Sequence, residues 1–434
     1  MIEGARQIGK TTLVEEFARK NYECFAELNF LTDRQAQAVF DTSLSADSII
    51  TNLTAYLQQP LVPGKTLVLL DEIQECPTAR TAIKFLVEDG RFDYIETGSL
   101  LGVKTRQVAS YPVGFETHLR MFPLTFMEFC RANGVQQLTI DYLSSCFEER
   151  KQVGDAVHNT MLRLLYAYLV VGGMPEVVQK YVDTHDIAAT MRLQADILDL
   201  YRLDIEKYAE DKDKTKIRAI YDAIPSQLDD KNRRFVLADL SKTARQERYR
   251  SSFLWLTDAG VALPCYNVTS PVTPLEGSSN HSLMKLFMGD VGLLCAASLG
   301  NVQFDLLQGR VDVNLGSVME NAIAQELRAH GFSLYYLNSR KVGEVDFLVQ
   351  NGRRVIPVEV KSGKDWTSHK ALYNMLDVAD WGIDEAFVLC KGDVERRGRI
   401  TYLPLYMAMF LQPTPFPEEL IYKVDLSALS ASGE

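Results

Sequence analysis

The 434-residue sequence has a formal net charge of −11, with 47% hydrophobic and 24% charged residues, which excludes a disordered chain and leaves room for roughly two to four domains. The acidic excess argues against indiscriminate binding to nucleic acid or to an anionic membrane, though not against a local basic patch. The 7 cysteines are scattered without a C-x-x-C spacing, there is no signal-peptide pattern, and the most apolar stretch (164–174) is too short to span a bilayer, so the expected setting is a reducing cytoplasm with no membrane partner.

The first twelve residues carry the strongest signal. Gly4-Ala5-Arg6-Gln7-Ile8-Gly9-Lys10-Thr11 fits G-x-x-x-x-G-K-[ST], a loop whose backbone N–H groups can converge on one phosphate. A helix behind it adds partial positive charge, Lys10 can reach the β- and γ-phosphates, and the Thr11 hydroxyl can ligate Mg²⁺. Gly4, Gly9, Lys10, Thr11 and the adjacent Thr12 are therefore candidate nucleotide contacts. Only three residues precede Gly4, so the apolar strand that normally feeds such a loop is almost missing from a place expected to be central.

Residues 11–21 read as an amphipathic helix with Leu13, Phe17 and Ala18 on one face, and residues 24–30 as a strand. A polar-to-helical connection ends in a turn at Pro60, Pro63 and Gly64. Residues 65–72 form an apolar run closing on Asp71 and Glu72, the pattern of a buried parallel strand that delivers acids to the carboxyl edge of a sheet. Asp71 would hold the Mg²⁺ shell and Glu72 would polarise an attacking water. The plainer reading is a strand followed by an acidic helix start. A helix over 79–87 and a strand over 92–96 lead to Thr97-Gly98-Ser99. That polar tip sits where Thr97 and Ser99 can sense a γ-phosphate, or is simply a turn.

Helical periodicity dominates residues 122–132 and then 139–220, broken at Gly172-Gly173-Met174-Pro175-Glu176. Residues 215–262 suggest a winged-helix unit, with Arg245, Arg248 and Ser251 or Ser252 able to meet a phosphate backbone. A solvated or protein-docking face is the alternative. Residues 268–279 read as a hairpin tip. The last third predicts a helix over 316–328 carrying Glu320, then strands over 333–337, 344–349 and 355–361, with Asn351-Gly352 as a hairpin turn. Strand period places Glu344 with Asp346 and Glu359 with Lys361 on shared faces. If Asp346 and Glu359 lie side by side they can hold Mg²⁺ with Lys361 beside a metal-bound water, a phosphodiester-cleaving arrangement. Alternating charges on a solvent face are the ordinary reading of Glu-x-Lys alone.

Together these stretches resemble the prokaryotic AAA-type ATP-binding proteins often called archaeal-type ATPases, over nearly the whole chain. The resemblance rests on GARQIGKTTL (4–13), LVLLDEIQ (67–74), TGS (97–99), FPLTFMEF (122–129), GGMPE (172–176) and YRLDI (201–205). It continues in VMENAIAQEL (318–327), GEVDFLV (343–349) and PVEVKSG (357–363). It implies Gly9, Lys10 and Thr11 as nucleotide-binding, and Asp71 and Glu72 as the Mg²⁺ and hydrolysis acids. It also implies a C-terminal domain related to PD-(D/E)XK nucleases, with Glu320, Asp346, Glu359 and Lys361 as its tetrad and Glu320, Asp346 and Glu359 as metal ligands. Two features depart from the family: the shortened start, and the lack of a clear arginine finger, for which Lys104, Arg106 and Arg120 are candidates.

The expected architecture is α/β: a P-loop parallel-sheet domain (1–125), a helical and winged-helix region (126–300), and a restriction-endonuclease-like α/β domain (301–434). The expected function is an ATP-binding, slow Mg²⁺-dependent ATPase whose nucleotide state positions the other domains. Its rivals are an ATP-gated nuclease acting on DNA or RNA, and a non-catalytic interaction module with a degraded ATP site. Oligomeric state is not legible.

Overall fold

Two sheets organise the chain. The computed structural model describes residues 1–99, 114–230, 233–242, 245–299, 303–307, 315–363, 365–415 and 421–424. The first sheet contains β1 (Ile2–Glu3), β2 (Cys24–Asn29), β3 (Thr66–Asp71), β4 (Asp93–Gly98) and β5 (Leu119–Arg120), in the order β2-β3-β4-β1-β5. All neighbours are parallel. The brief β1 lies between β4 and β5, with Ile2 opposite Thr97 and Leu119, so it is interior to the sheet but fourth of five rather than central.

Helix α1 (Lys10–Asn21) follows the loop, α2 (Ala46–Leu57) precedes β3, and α3 (Pro77–Asp89) follows it. The buried face of α1 is Lys10, Val14 and Ala18, at four-residue spacing. Leu13 and Phe17, expected on the buried face, lie one step round the helix and are 50% and 45% exposed. On α3 the buried Arg80 donates at 2.7 Å to Glu96 on β4 and at 2.7 Å to Glu116, pinning helix to sheet.

The middle of the chain is helical as expected: Phe126–Ala132, Gln137–Glu149, Asp155–Val171, Pro175–Thr184, Ile187–Tyr208 and Asp211–Asp229. Thr125 and Glu128 cap the first of these reciprocally. The break at 172–174 is a contact point. The Gly173 carbonyl accepts from Leu124 N at 2.7 Å, and a Cβ on Gly173 would lie 2.1 Å from the Leu124 carbonyl oxygen, so only glycine fits.

Helix Gln246–Asp258 follows an extended Arg245 at its N-cap and leaves Arg245, Arg248 and Arg250 exposed. Its serines are not offered as phosphate donors: Ser251 donates to Asp213 at 3.1 Å, and Ser252 is fully buried. The hairpin that follows, β6 (Ala262–Val268) and β7 (Ser279–Met288), does not stand apart as a wing. It joins β8 (Tyr335–Ser339), β9 (Gly343–Asn351), β10 (Arg354–Val360), β11 (Ala386–Cys390), β12 (Glu395–Arg397) and β13 (Ile400–Pro404). Their order is β12-β13-β11-β10-β9-β8-β6-β7, with β6 parallel to β8. One sheet therefore crosses residue 300, where a domain boundary is expected. Against it packs the Gly316–Ala329 helix, buried from Gly316 through Leu327.

The cores divide accordingly. One apolar cluster lies inside the first domain around Leu28, Val68, Leu70 and Ile83. A larger one runs from the helical region into the second sheet, and it includes Ala5 and Ile8 of the phosphate-loop segment. The underside of that loop thus belongs to the core of the rest of the molecule. No helix among the described residues is long and apolar enough to cross a membrane.

Candidate nucleotide site and carboxylate cluster

The loop between β1 and α1 turns through three left-handed or glycine-only conformations, at Gly4 (φ 151°), Gln7 (φ 63°) and Gly9 (φ 81°). A Cβ on Gly4 would lie 2.5 Å from both Ile8 Cδ1 and the Met121 carbonyl oxygen. Gly9 precedes the first turn of α1, so the N–H groups of that turn open onto the loop.

Inside the loop Lys10 is 7% exposed and its ammonium donates to the carbonyls of Ala5 (2.7 Å) and Gly4 (3.2 Å). Burial draws its pKa down to about 8, against the opposing pull of Glu72 and Asp71. Thr11 Oγ1 lies 3.2 Å from each carboxylate oxygen of Asp71, at the end of β3. Asp71 also accepts from Asn29 Nδ2 at 2.7 Å and from Thr97 Oγ1. The next residue, Glu72, sits at φ 53°, a left-handed conformation uncommon outside glycine and concentrated at functional sites. Its carboxylate accepts from Gln74 and, at 3.4 Å, from Ser99 Oγ.

The structure thus brings Gly9, Lys10, Thr11, Asp71, Glu72, Thr97 and Ser99 to one edge of the first sheet; Thr12 is exposed in the first turn of α1. A hydroxyl and a carboxylate already in contact beside a lysine in a glycine-bounded cradle suit a Mg²⁺-bound triphosphate. Of the arginine-finger candidates, Arg120 donates to the Thr257 carbonyl at 2.8 Å, which engages it with helix Gln246–Asp258; Lys104 and Arg106 lie outside the described residues.

Sequence reasoning missed the partners that reach this loop from the middle of the chain. Arg6 pairs with Asp204 at 2.5 Å, Tyr201 Oη donates to the Arg6 carbonyl at 3.2 Å, and a Cβ on Gly9 would touch Pro175 Cγ at 3.7 Å. Asp204 is 5% exposed, and burial pushes its pKa up against the pull of Arg6. The signal was present: Tyr201 and Asp204 lie in YRLDI, and Pro175 in GGMPE.

The second constellation also assembles, with an unexpected member. Val360 N donates to Asp346 Oδ2 at 2.9 Å, and Lys361 Nζ meets Glu359 Oε1 at 2.7 Å. Burial, then the Asp346 charge, pushes Glu359 up to about 7. Between the acids sits Lys285 of β7, whose Nζ is 2.7 Å from Glu344 Oε1, 3.6 Å from Glu320 Oε2 and 3.8 Å from Asp346 Oδ1. Arg233 pairs with the other oxygen of Glu320. A protein ammonium thus lies within 3.6 Å of Glu320 and 3.8 Å of Asp346, two of the three acids expected to hold a metal with Glu359. Among the described residues no group of three or more His, Cys, Asp or Glu is arranged to hold a metal.

Three family models match in succession: an AAA domain over residues 1–130, a domain of unknown function (DUF8612) over 162–303, and a domain of unknown function (DUF4143) over 315–407. No curated protein matches the chain. Solved structures similar to it include a Walker-type ATPase of Pyrococcus abyssi, at 12% identity and TM-score 0.40, covering 68% of this chain and 89% of that one. Two others are the ORC1 protein of Aeropyrum pernix in complex with DNA (15% identity, TM-score 0.22, 71% and 87% covered) and Cdc6p of Pyrobaculum aerophilum (10%, 0.21, 71% and 87%). The AAA domain match over residues 1–130 thus falls on the segment that carries the loop, the two acids and the parallel sheet.

Proposed function

We propose that the chain is a slow, Mg²⁺-dependent ATPase whose nucleotide state sets the position of its helical and C-terminal regions. The observation that carries this reading is the meeting of Thr11 Oγ1 with both oxygens of Asp71 beside Lys10. Thr11 and Asp71 would hold Mg²⁺, which when bound neutralises phosphate charge. Lys10 exchanges its two carbonyl contacts for phosphate oxygens, and the loop N–H groups around Gly9 orient the triphosphate. Glu72, fixed by Gln74 and Ser99, orients the attacking water and accepts its proton.

Relay to the rest of the chain is supported by the loop's other face. Arg6 is tied to Asp204 and Tyr201, Ala5 and Ile8 are packed in the larger core, and Pro175 abuts Gly9. A ligand that reshapes the loop acts directly on the Ile187–Tyr208 helix, provided it binds two arrangements with different affinity. The nuclease rival is not favoured, because Lys285 lies among the acids it needs for metal.

Phosphate release measured on the full chain tests the proposal. Mg²⁺-dependent turnover should fall at least ~100-fold in Glu72→Gln while ATP binding persists. Turnover unchanged by that substitution, or none in the intact chain, would overturn it.

A further inference from the structure

Lys285 is the one charge in the run Leu283-Met284-Lys285-Leu286-Phe287-Met288, and its side chain is fully buried. A buried ammonium is tolerated only where it is paired. Here Glu344 of β9 stands 2.7 Å away, Glu320 of the Gly316–Ala329 helix 3.6 Å and Asp346 of β9 3.8 Å, with the Tyr336 ring 5.2 Å from the charge. Lys361 neutralises Glu359, and Arg233 takes the remaining oxygen of Glu320. Four acids are thus matched by three cations, and two of those cations, Lys285 and Arg233, come from before residue 300.

We infer that Lys285 is a built-in substitute for a divalent cation: it occupies the carboxylate cluster of the second sheet, so that the intact cluster takes up no Mg²⁺ or Mn²⁺. The reasoning is electrostatic and steric. Mg²⁺ requires carboxylate oxygens at roughly 2.0–2.1 Å in a near-octahedral shell. Here one such oxygen lies 2.7 Å from the ammonium and two others 3.6 and 3.8 Å from it, and an added dication would lie against that fully buried like charge. The lysine instead fastens the β6–β7 hairpin to the helix and strands beyond residue 300. This inference is independent of the proposed ATPase, since it concerns the other sheet.

The test is Mn²⁺ binding to full-length protein, read by electron paramagnetic resonance, in an Asp71→Asn background that removes the nucleotide-side ligand. With Lys285 in place, Mn²⁺ binding should be the same with and without Asp346→Asn. Lys285→Met, which keeps the stem and removes the charge, should gain one Mn²⁺ per chain, and adding Asp346→Asn should remove it. An Asp346-dependent Mn²⁺ site in the presence of Lys285 would overturn the inference, as would a folded Lys285→Met protein that gains none. Should Lys285→Met fail to fold, the two proteins that keep Lys285 decide alone: equal Mn²⁺ binding with and without Asp346→Asn supports the inference, and a loss on that substitution overturns it.

Discussion

Glu326 links the Gly316–Ala329 helix to the start of the helical region, and its burial makes the molecule's stability depend on pH. The side chain is 2% exposed and accepts from Phe126 N at 3.0 Å. Burial raises its pKa from 4.5 to about 7. His330 lies 3.6 Å away, but burial lowers its own pKa, so no cation compensates when Glu326 ionises. A carboxyl with a folded pKa above its unfolded one contributes stability that is fully present below pH ~4.5 and is lost as pH rises through ~7. The whole shift corresponds to ~3 kcal/mol, of which ~2 kcal/mol falls between pH 5.5 and 8. Glu326→Gln keeps an acceptor for Phe126 N and stays neutral throughout. In urea unfolding, the stability of the variant relative to the parent should rise by ~2 kcal/mol between pH 5.5 and 8. A separation between the two proteins that is the same at both pH values would refute the reasoning.

Three further outcomes are expected. Thr11→Ala should weaken ATP binding far more in Mg²⁺ than in EDTA, as read by calorimetry, because the hydroxyl facing Asp71 is a proposed metal ligand. Asp204→Asn strands a partly exposed Arg6 and should cost ~1–2 kcal/mol, seen as a Tm drop of a few degrees. Gly9→Ala forces a side chain into a left-handed position at a cost of ~1–2 kcal/mol, and should lower ATP affinity and thermal stability together.

Much of the first domain was legible because its signals are local. The loop motif fixes Gly9, Lys10 and Thr11 on adjacent residues, and an apolar run ending in Asp71 and Glu72 has few other folded meanings. The glycine break at 172–174 and the hairpin turn at Asn351-Gly352 were likewise written in residue type. What depends on long-range contact was not. The α1 helix offers two apolar stripes, and only packing against the sheet buries Val14 beside the expected Ala18 and leaves Leu13 and Phe17 outside. Residues 262–288 carry a hairpin pattern, but nothing local says that β6 pairs with β8 instead of standing as a wing. Lys285 was visible as a lone charge in an apolar strand; that it reaches Glu320, Glu344 and Asp346 follows from topology alone.

The central claim is that the loop at residues 4–11 and the acid at 71 form one triphosphate site. Calorimetric titration of the full chain with Mg²⁺–ATP tests it most directly, run beside Lys10→Ala. The account predicts one nucleotide per chain at micromolar concentration and no measurable binding in the variant. Equal binding by both proteins would contradict it.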